Sequence, residues 1–188
     1  MLPDSELLIQ ARSDLDALGV LFDRRAPAVH RYLARRLGPD AADDLLSEVF
    51  IRAAGSLRKV YGHATDSALP WLYGIARNVV REHLRRSGPR GERVVSVSGS
   101  DGVDWEAVDE RLDAELVSAP LRQAMSELSA GEREILLLVS WEQLSVAEAA
   151  LTLGITATAA RSRLHRARAR AAAALATTRH PFLDQEVQ

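Results

Sequence analysis

The 188-residue sequence contains no cysteine. Disulfides, thiolate metal sites and thiol nucleophiles are thereby excluded. Aromatic residues make up only 5% of the chain, and no alternating β-branched run bounded by hairpin turns occurs, so the usual ingredients of a sheet are missing. No stretch approaches the roughly 20 apolar residues of a membrane-spanning helix. The opening "MLPDSELLIQARSDLD" lacks the basic region and apolar run of a secretory signal. These absences imply a cytoplasmic protein with no membrane insertion. His30, His63, His83, His165 and His180 are scattered without ligand spacing, and there is neither an HExxH pair nor a GxxxxGKS/T phosphate loop. No metal, no cofactor and no enzymatic activity are expected.

What is present is helical. The chain is 47% hydrophobic, and its Leu, Ala and Val recur at spacings of three and four, which predicts an all-α fold with buried cores. Ser5 is positioned to cap a first helix through Leu7, Leu8 and Ala11, and a second apolar series follows at Leu18, Leu21 and Phe22. Pro27 is expected to kink or restart that helix before Val29, Tyr32 and Leu33. After the turn "GPDAADD", Leu45, Leu46, Val49, Phe50 and Ala53 trace one face of a helix that Gly55 should end. Beyond the loop "KVYGHATDS", Ser67 and Pro70 announce a helix with Leu72, Ile75, Ala76, Val79 and Leu84 as its buried stripe. "RSGPRGERVVSVSGSDGVD" has no sustained period and reads as a linker. Pro120 then opens a second, smaller helical domain.

The formal net charge is only −2, from 24 basic and 26 acidic residues, but the charges are segregated. Arg77, Arg81, Arg85, Arg86, Arg90 and Arg93 face only Glu82 and Glu92 between positions 71 and 93. Residues 101–115 reverse the sign, with Asp101, Asp104, Glu106, Asp109, Glu110, Asp113 and Glu115 against Arg111. The segment "TATAARSRLHRARAR" then carries arginines and no acid. Two basic elements around an acidic middle fit two contacts with a polyanion, joined by a segment that avoids it.

The second domain is well marked at its helix starts. Ser129 with Glu132, and Ser145 with Glu148, have capping-box spacing. Gly154 suits a left-handed helix stop, and Thr156 can cap the next helix. Helix, glycine turn and helix in this compass is the spacing of a helix-turn-helix, with Ala150 small enough for close approach. On the last helix Ala160, Leu164, Ala167 and Ala171 form a narrow apolar stripe, expected to pack on the preceding helix. About 140° away lie Thr158, Ser162, His165 and Ala169, edged by Arg161 and Arg166. That face suits the major groove of duplex DNA, where arginine donates bidentately to guanine. Arg163, Arg168 and Arg170 point to the flanks, toward phosphates.

The segment "LSAGEREILLLVSWEQLSVAEAALTLGITATAARSRLHRARARA" resembles region 4 of the extracytoplasmic-function group of bacterial sigma-70 family factors. "DAADDLLSEVFIRA" and "PWLYGIARNVVREHLRR" resemble the two signature helices of region 2 in that group. The resemblance implies an RNA polymerase sigma factor that binds core enzyme, recognises −35 and −10 promoter elements and assists melting. Its domains would be region 2 at 1–90, a linker at 91–117, region 4 at 118–176 and a tail at 177–188. The −35 contacts would fall on Thr158, Arg161, Ser162, Arg163, His165, Arg166, Arg168 and Arg170, with Arg161, Ser162, His165 and Arg166 reading bases. Tyr61, His63, Asn78, Arg81, Glu82 and Arg85 would address the −10 element. Asp44, Ser47, Glu48 and Arg52 would meet the polymerase. Implied partners are the β′ clamp helices and β flap of core polymerase, promoter DNA, and an anti-sigma factor of the kind many relatives have. Ser47, where the group commonly has glutamine, and the alanines Ala159 and Ala160 depart from its pattern. The competing reading is a stand-alone helix-turn-helix regulator with an N-terminal ligand-binding or dimerisation domain, which would bind palindromic duplex as a dimer.

Overall fold

The computed structural model describes residues 2–59, 66–87 and 119–179, and among these described residues the regular structure is helical, with no strand. The chain divides into two compact units, residues 1–95 with 151–154, and residues 96–150 with 155–188. No helix among the described residues is long and apolar enough to cross a membrane.

The first unit is built on α1 (Asp4–Gln10), α2 (Asp16–Leu37), α3 (Pro39–Ser56) and α4 (Leu69–Ser87). α2 packs on α1, α3 and α4, and α3 packs on α4. Leu21, Val29, Tyr32 and Leu33 of α2 meet Leu45, Val49 and Ala53 of α3 and Leu72, Ala76 and Val79 of α4 in the buried interior. Phe22 and Phe50 contact edge to face at 4.7 Å, and Tyr32 stacks on Tyr73 at 4.9 Å. Arg36 is buried with them, its guanidinium 3.5 Å above the Tyr32 ring and its Nη1 donating to Tyr32 O.

Several local expectations differ from the structure. Pro27 sits inside an unbroken α2. It removes one backbone donor, but buried residues on both sides of it, Leu21 and Ala26 before and Val29 and Tyr32 after, hold the helix in register. Ser5 does not cap α1, which begins at Asp4 after Pro3 with no side-chain cap. On α4, Ile75 and Leu84 are only half-buried, while Tyr73 and Val80 turn inward beside Leu72, Ala76 and Val79, because α4 is covered by both α2 and α3. Gly55 does not end α3 either, which runs to Ser56; other local signals are realised. Gly38 takes a φ of 86° between α2 and α3, with Pro39 opening the next helix. Ser67 Oγ accepts the Leu69 N–H at the start of α4.

Asp4 is the polar knot of this unit. Its carboxylate is fully buried and takes Arg24 Nη1 at 2.8 Å, Arg25 Nε at 2.7 Å and the Ala68 N–H at 2.9 Å. Burial pushes this carboxyl up. The hydrogen bonds from Arg25, Ala68 and Arg24 outweigh that and hold it below the ordinary aspartate value.

The second unit contains α5 (Ala119–Ser126), α6 (Ala130–Ser140), the start of α7 (Val146–Leu153), whose last three residues are counted with the first unit, and α8 (Ala157–Arg179). Met125, Leu128 and Leu137 form a buried cluster covered by Leu121, Leu136 and Trp141. Arg133 is buried and donates to the carbonyls of Met125 and Leu128, satisfying the chain between α5 and α6.

Candidate nucleic-acid interface

The turn geometry that presents α8 follows from sequence. Both capping boxes close: Ser129 Oγ accepts the Glu132 N–H while Glu132 accepts the Ser129 N–H, and Ser145 and Glu148 repeat the exchange. α7 ends in a Schellman turn. Ile155 N–H bonds to Ala150 O and Gly154 N–H to Leu151 O, with Gly154 at φ 65°. Thr156 Oγ1 then accepts the Ala159 N–H and starts α8.

On α8 the apolar stripe is buried at Ala160, Leu164, Ala167 and Ala174, with Ala171 half-buried. It was expected to rest on the preceding helix, yet its main packing is on α5 and α6. The chain turns at Gly154, with its positive φ, away from the line of α7, so the stripe of α8 meets α5 and α6 instead. Thr158, Arg161, Ser162, His165 and Arg168 are exposed on the opposite side, at spacings of three, four and seven that line one face. The remaining three arginines lie on one flank, against the first turn of α6. Arg163 is half-buried, and a Cβ at Gly131 would lie 2.8 Å from its Nη1. Arg166 Nε stands 3.5 Å from Glu132 Oε1, and Arg170 Nη1 is 2.7 Å from Glu132 Oε2. Arg166 and Arg170 thus carry an internal acid partner that sequence reading did not give them. Glu132 was legible only as a cap, because its arginines lie 34 and 38 positions away.

Glu132 is buried, which raises its carboxyl. Hydrogen bonds from the Ser129 side chain and backbone, then the charges of Arg170 and Arg166, prevail and hold it below the usual glutamate range. The group is therefore an anion at neutral pH despite its burial.

In the first unit Asn78, Arg81, Glu82 and Arg85 occupy α4 at spacings of three, four and seven, sharing one face. Asn78 and Arg85 are exposed, and Arg81 and Glu82 half-buried. Tyr61 and His63 lie outside the described residues. Asp44, Ser47 and Glu48 share a face of α3 with Ile51, which is 71% exposed. The arrangement also joins two sets of residues expected to act separately. Arg52 Nη1 and Nη2 donate to Glu82 at 2.9 and 2.6 Å, Nη2 also donates to Glu48, and Arg86 Nη2 reaches Glu82 at 3.2 Å. The Arg52 hydrogen bond, ahead of burial, which opposes it, and the Arg52 charge, brings Glu82 down to about 2. Among the described residues no group of three or more acids or histidines could hold a metal ion.

The sigma-70 region 2 model matches residues 21–90, and the sigma-70 region 4 model matches residues 118–170. The chain belongs to the sigma-70 family of RNA polymerase sigma factors, in its extracytoplasmic-function group. This sigma factor is 34% identical to the extracytoplasmic-function factor BldN of Streptomyces coelicolor over 152 residues, 79% of its own length and 57% of BldN's. It is 34% identical to SigC of Mycobacterium tuberculosis over 149 residues, 78% of this chain and 77% of that one. Among solved structures, CnrH in complex with the cytosolic domain of CnrY matches with a TM-score of 0.61 at 25% identity, covering 93% of this sigma factor and 98% of CnrH.

Proposed function

We propose that this sigma factor docks α8 in the major groove of the −35 duplex and uses α4 with the 60–68 segment on the −10 element. The observation that supports it best is the exposed face of Thr158, Arg161, Ser162, His165 and Arg168, cationic, free of acids and presented by a helix-turn-helix. Arg161, Ser162, His165 and Arg166 read base edges, and Arg163 and Arg168 meet phosphates. Asn78, Arg81, Glu82 and Arg85, with Tyr61 and His63, address the −10 strand. Capture of extruded bases costs a few kcal/mol of unstacking per base, least at pyrimidine–purine steps, so pockets for those bases trap breathing without nucleotide hydrolysis. The factor itself performs no catalytic step.

Asp44, Ser47, Glu48 and Arg52 meet the β′ clamp helices, and the second unit meets the β flap. Residues 1–90 and 118–176 are the two working domains, 91–117 their acidic linker and 177–188 a tail. CnrH is solved with the cytosolic domain of CnrY, and a protein inhibitor of the anti-sigma class is assigned to this chain by the same family logic.

The test is run-off transcription from a pool of genomic promoters with purified core polymerase. Discrete transcripts that require this protein are expected. No dependence on it overturns the assignment, and binding of palindromic duplex by the protein alone as a dimer favours a stand-alone regulator instead.

A further inference from the structure

We propose that Glu132 is a positioning residue: it holds Arg166 in the orientation that reads a base and withdraws Arg170 from the phosphate contacts. The inference rests on the reading above, in which Arg166 faces the groove. Its basis is an asymmetry along α8. Arg161 and Arg168 edge one side of the exposed face, where no acid of α8 accompanies them, whereas Arg166 and Arg170 on the other side share one carboxylate.

That carboxylate is itself buried and multiply bonded. The Glu132 side chain is only 5% exposed, and Oε2 is fixed by the Ser129 N–H at 3.1 Å, the Ser129 hydroxyl at 2.8 Å and Arg170 at 2.7 Å. Oε1 faces Arg166 at its Nε. A guanidinium is planar and offers its donors in a fixed fork, so an acid at the Nε edge leaves the two terminal nitrogens as the edge aimed away from the protein. That edge is the one a guanine O6 and N7 accept bidentately. A side chain restrained before binding loses less rotamer entropy on binding, and one held at a single angle tolerates misplaced acceptors poorly. Discrimination should gain more than affinity does.

Arg170 sits one turn further along with its Nη1 on the same acid. Its charge is balanced inside the unit, so its contribution to a phosphate is smaller than that of Arg168 on the free edge. Gly131 completes the arrangement, since any side chain there would meet the Arg163 guanidinium.

Glu132→Gln separates this role from folding. Glutamine at the third helical position still closes a capping box, and thermal unfolding of the variant checks that it does. Holoenzyme is assembled with wild-type, Glu132→Gln, Arg166→Ala or Arg170→Ala chains and measured on the promoter found by run-off selection, with every −35 base pair substituted in turn. Arg166→Ala should abolish discrimination at one base pair. Glu132→Gln should lower discrimination at that same base pair by roughly tenfold, with the other positions unchanged, and Arg170→Ala should barely alter the salt dependence. If Glu132→Gln shifts affinity for every sequence equally and leaves the base profile intact, the positioning role is overturned. If Arg166→Ala leaves the profile intact, the base-reading assignment fails first and the role of Glu132 falls with it.

Discussion

Three helices of the first unit and two of the second begin in opposite ways. In the first, α1, α2 and α3 start with no side-chain cap, and α2 and α3 run to 22 and 18 residues. In the second, α6 and α7 are 11 and 8 residues long, and each opens on a capping box closed in both directions. Helix nucleation is costly, and segments shorter than about 12 residues are marginal unless ends or tertiary contacts compensate. Long helices that interlock through Leu21, Val29, Leu33, Val49 and Leu72 can leave their ends untended. Short helices that must hold a reading helix at a fixed angle cannot. The first unit is thus specified by its interior, and the second by its turns.

The largest effect that would sharpen this contrast lies at Asp4. Asp4→Asn removes the charge that two arginines and a backbone amide share, and breaking a buried pair costs about 3–5 kcal/mol. Hydrogen exchange should show faster opening of α2 and α4 amides. Stability unchanged to within experimental error would mean that the apolar interior alone holds this unit. Next, Ser145→Ala should cost about 1 kcal/mol by chemical denaturation, with the loss localised to α7. A loss no larger than that of Ser5→Ala, in a helix with no side-chain cap, would break the contrast.

Gln143 is the described non-glycine residue with positive φ, at 57°, just after α6. Gln143→Gly should stabilise the second unit by about 0.5 kcal/mol, the relief of left-handed backbone being partly offset by glycine's entropy and the lost bond to Ser140 O. The first unit should also show a pH dependence. Glu82 is lowered to about 2 from 4.5, so its pairing with Arg52 contributes fully above pH 4.5 and is lost as pH falls toward 2. In Glu82→Gln that part of the acid slope should vanish. An identical slope in the variant would place the acid sensitivity at Asp4 instead.

Legibility followed the same division. In the second unit the sequence already shows both capping boxes, the Gly154 stop and the Thr156 cap, because each is a local pattern of a few residues. Most positions of the apolar stripes of α2, α3 and α8 are equally legible, since periodicity records which face is covered, although Phe22 is exposed and Leu18 and Leu46 are half-buried. What covers it was not: α8 rests on α5 and α6, and α4 turns Tyr73 and Val80 inward, for reasons of tertiary geometry. The ion pairs that modify the candidate site were invisible as well. Arg52 with Glu82 and Glu132 with Arg166 are separated by 30 and 34 positions, and no local rule links such residues. From sequence, Arg166, Arg170 and Glu82 are side chains free to meet DNA, whereas in the structure each is already engaged within its own unit.

On the proposed function, one unit of this chain reads duplex DNA and the other opened DNA. Permanganate footprinting of a run-off-selected promoter tests it most directly. With core polymerase and this sigma factor together, thymines around the −10 element should become reactive while the −35 duplex stays unreactive and protected, and Arg161→Ala should remove the −35 protection. Protection of a duplex palindrome by the protein alone, with no thymine becoming reactive when core is added, would contradict the account.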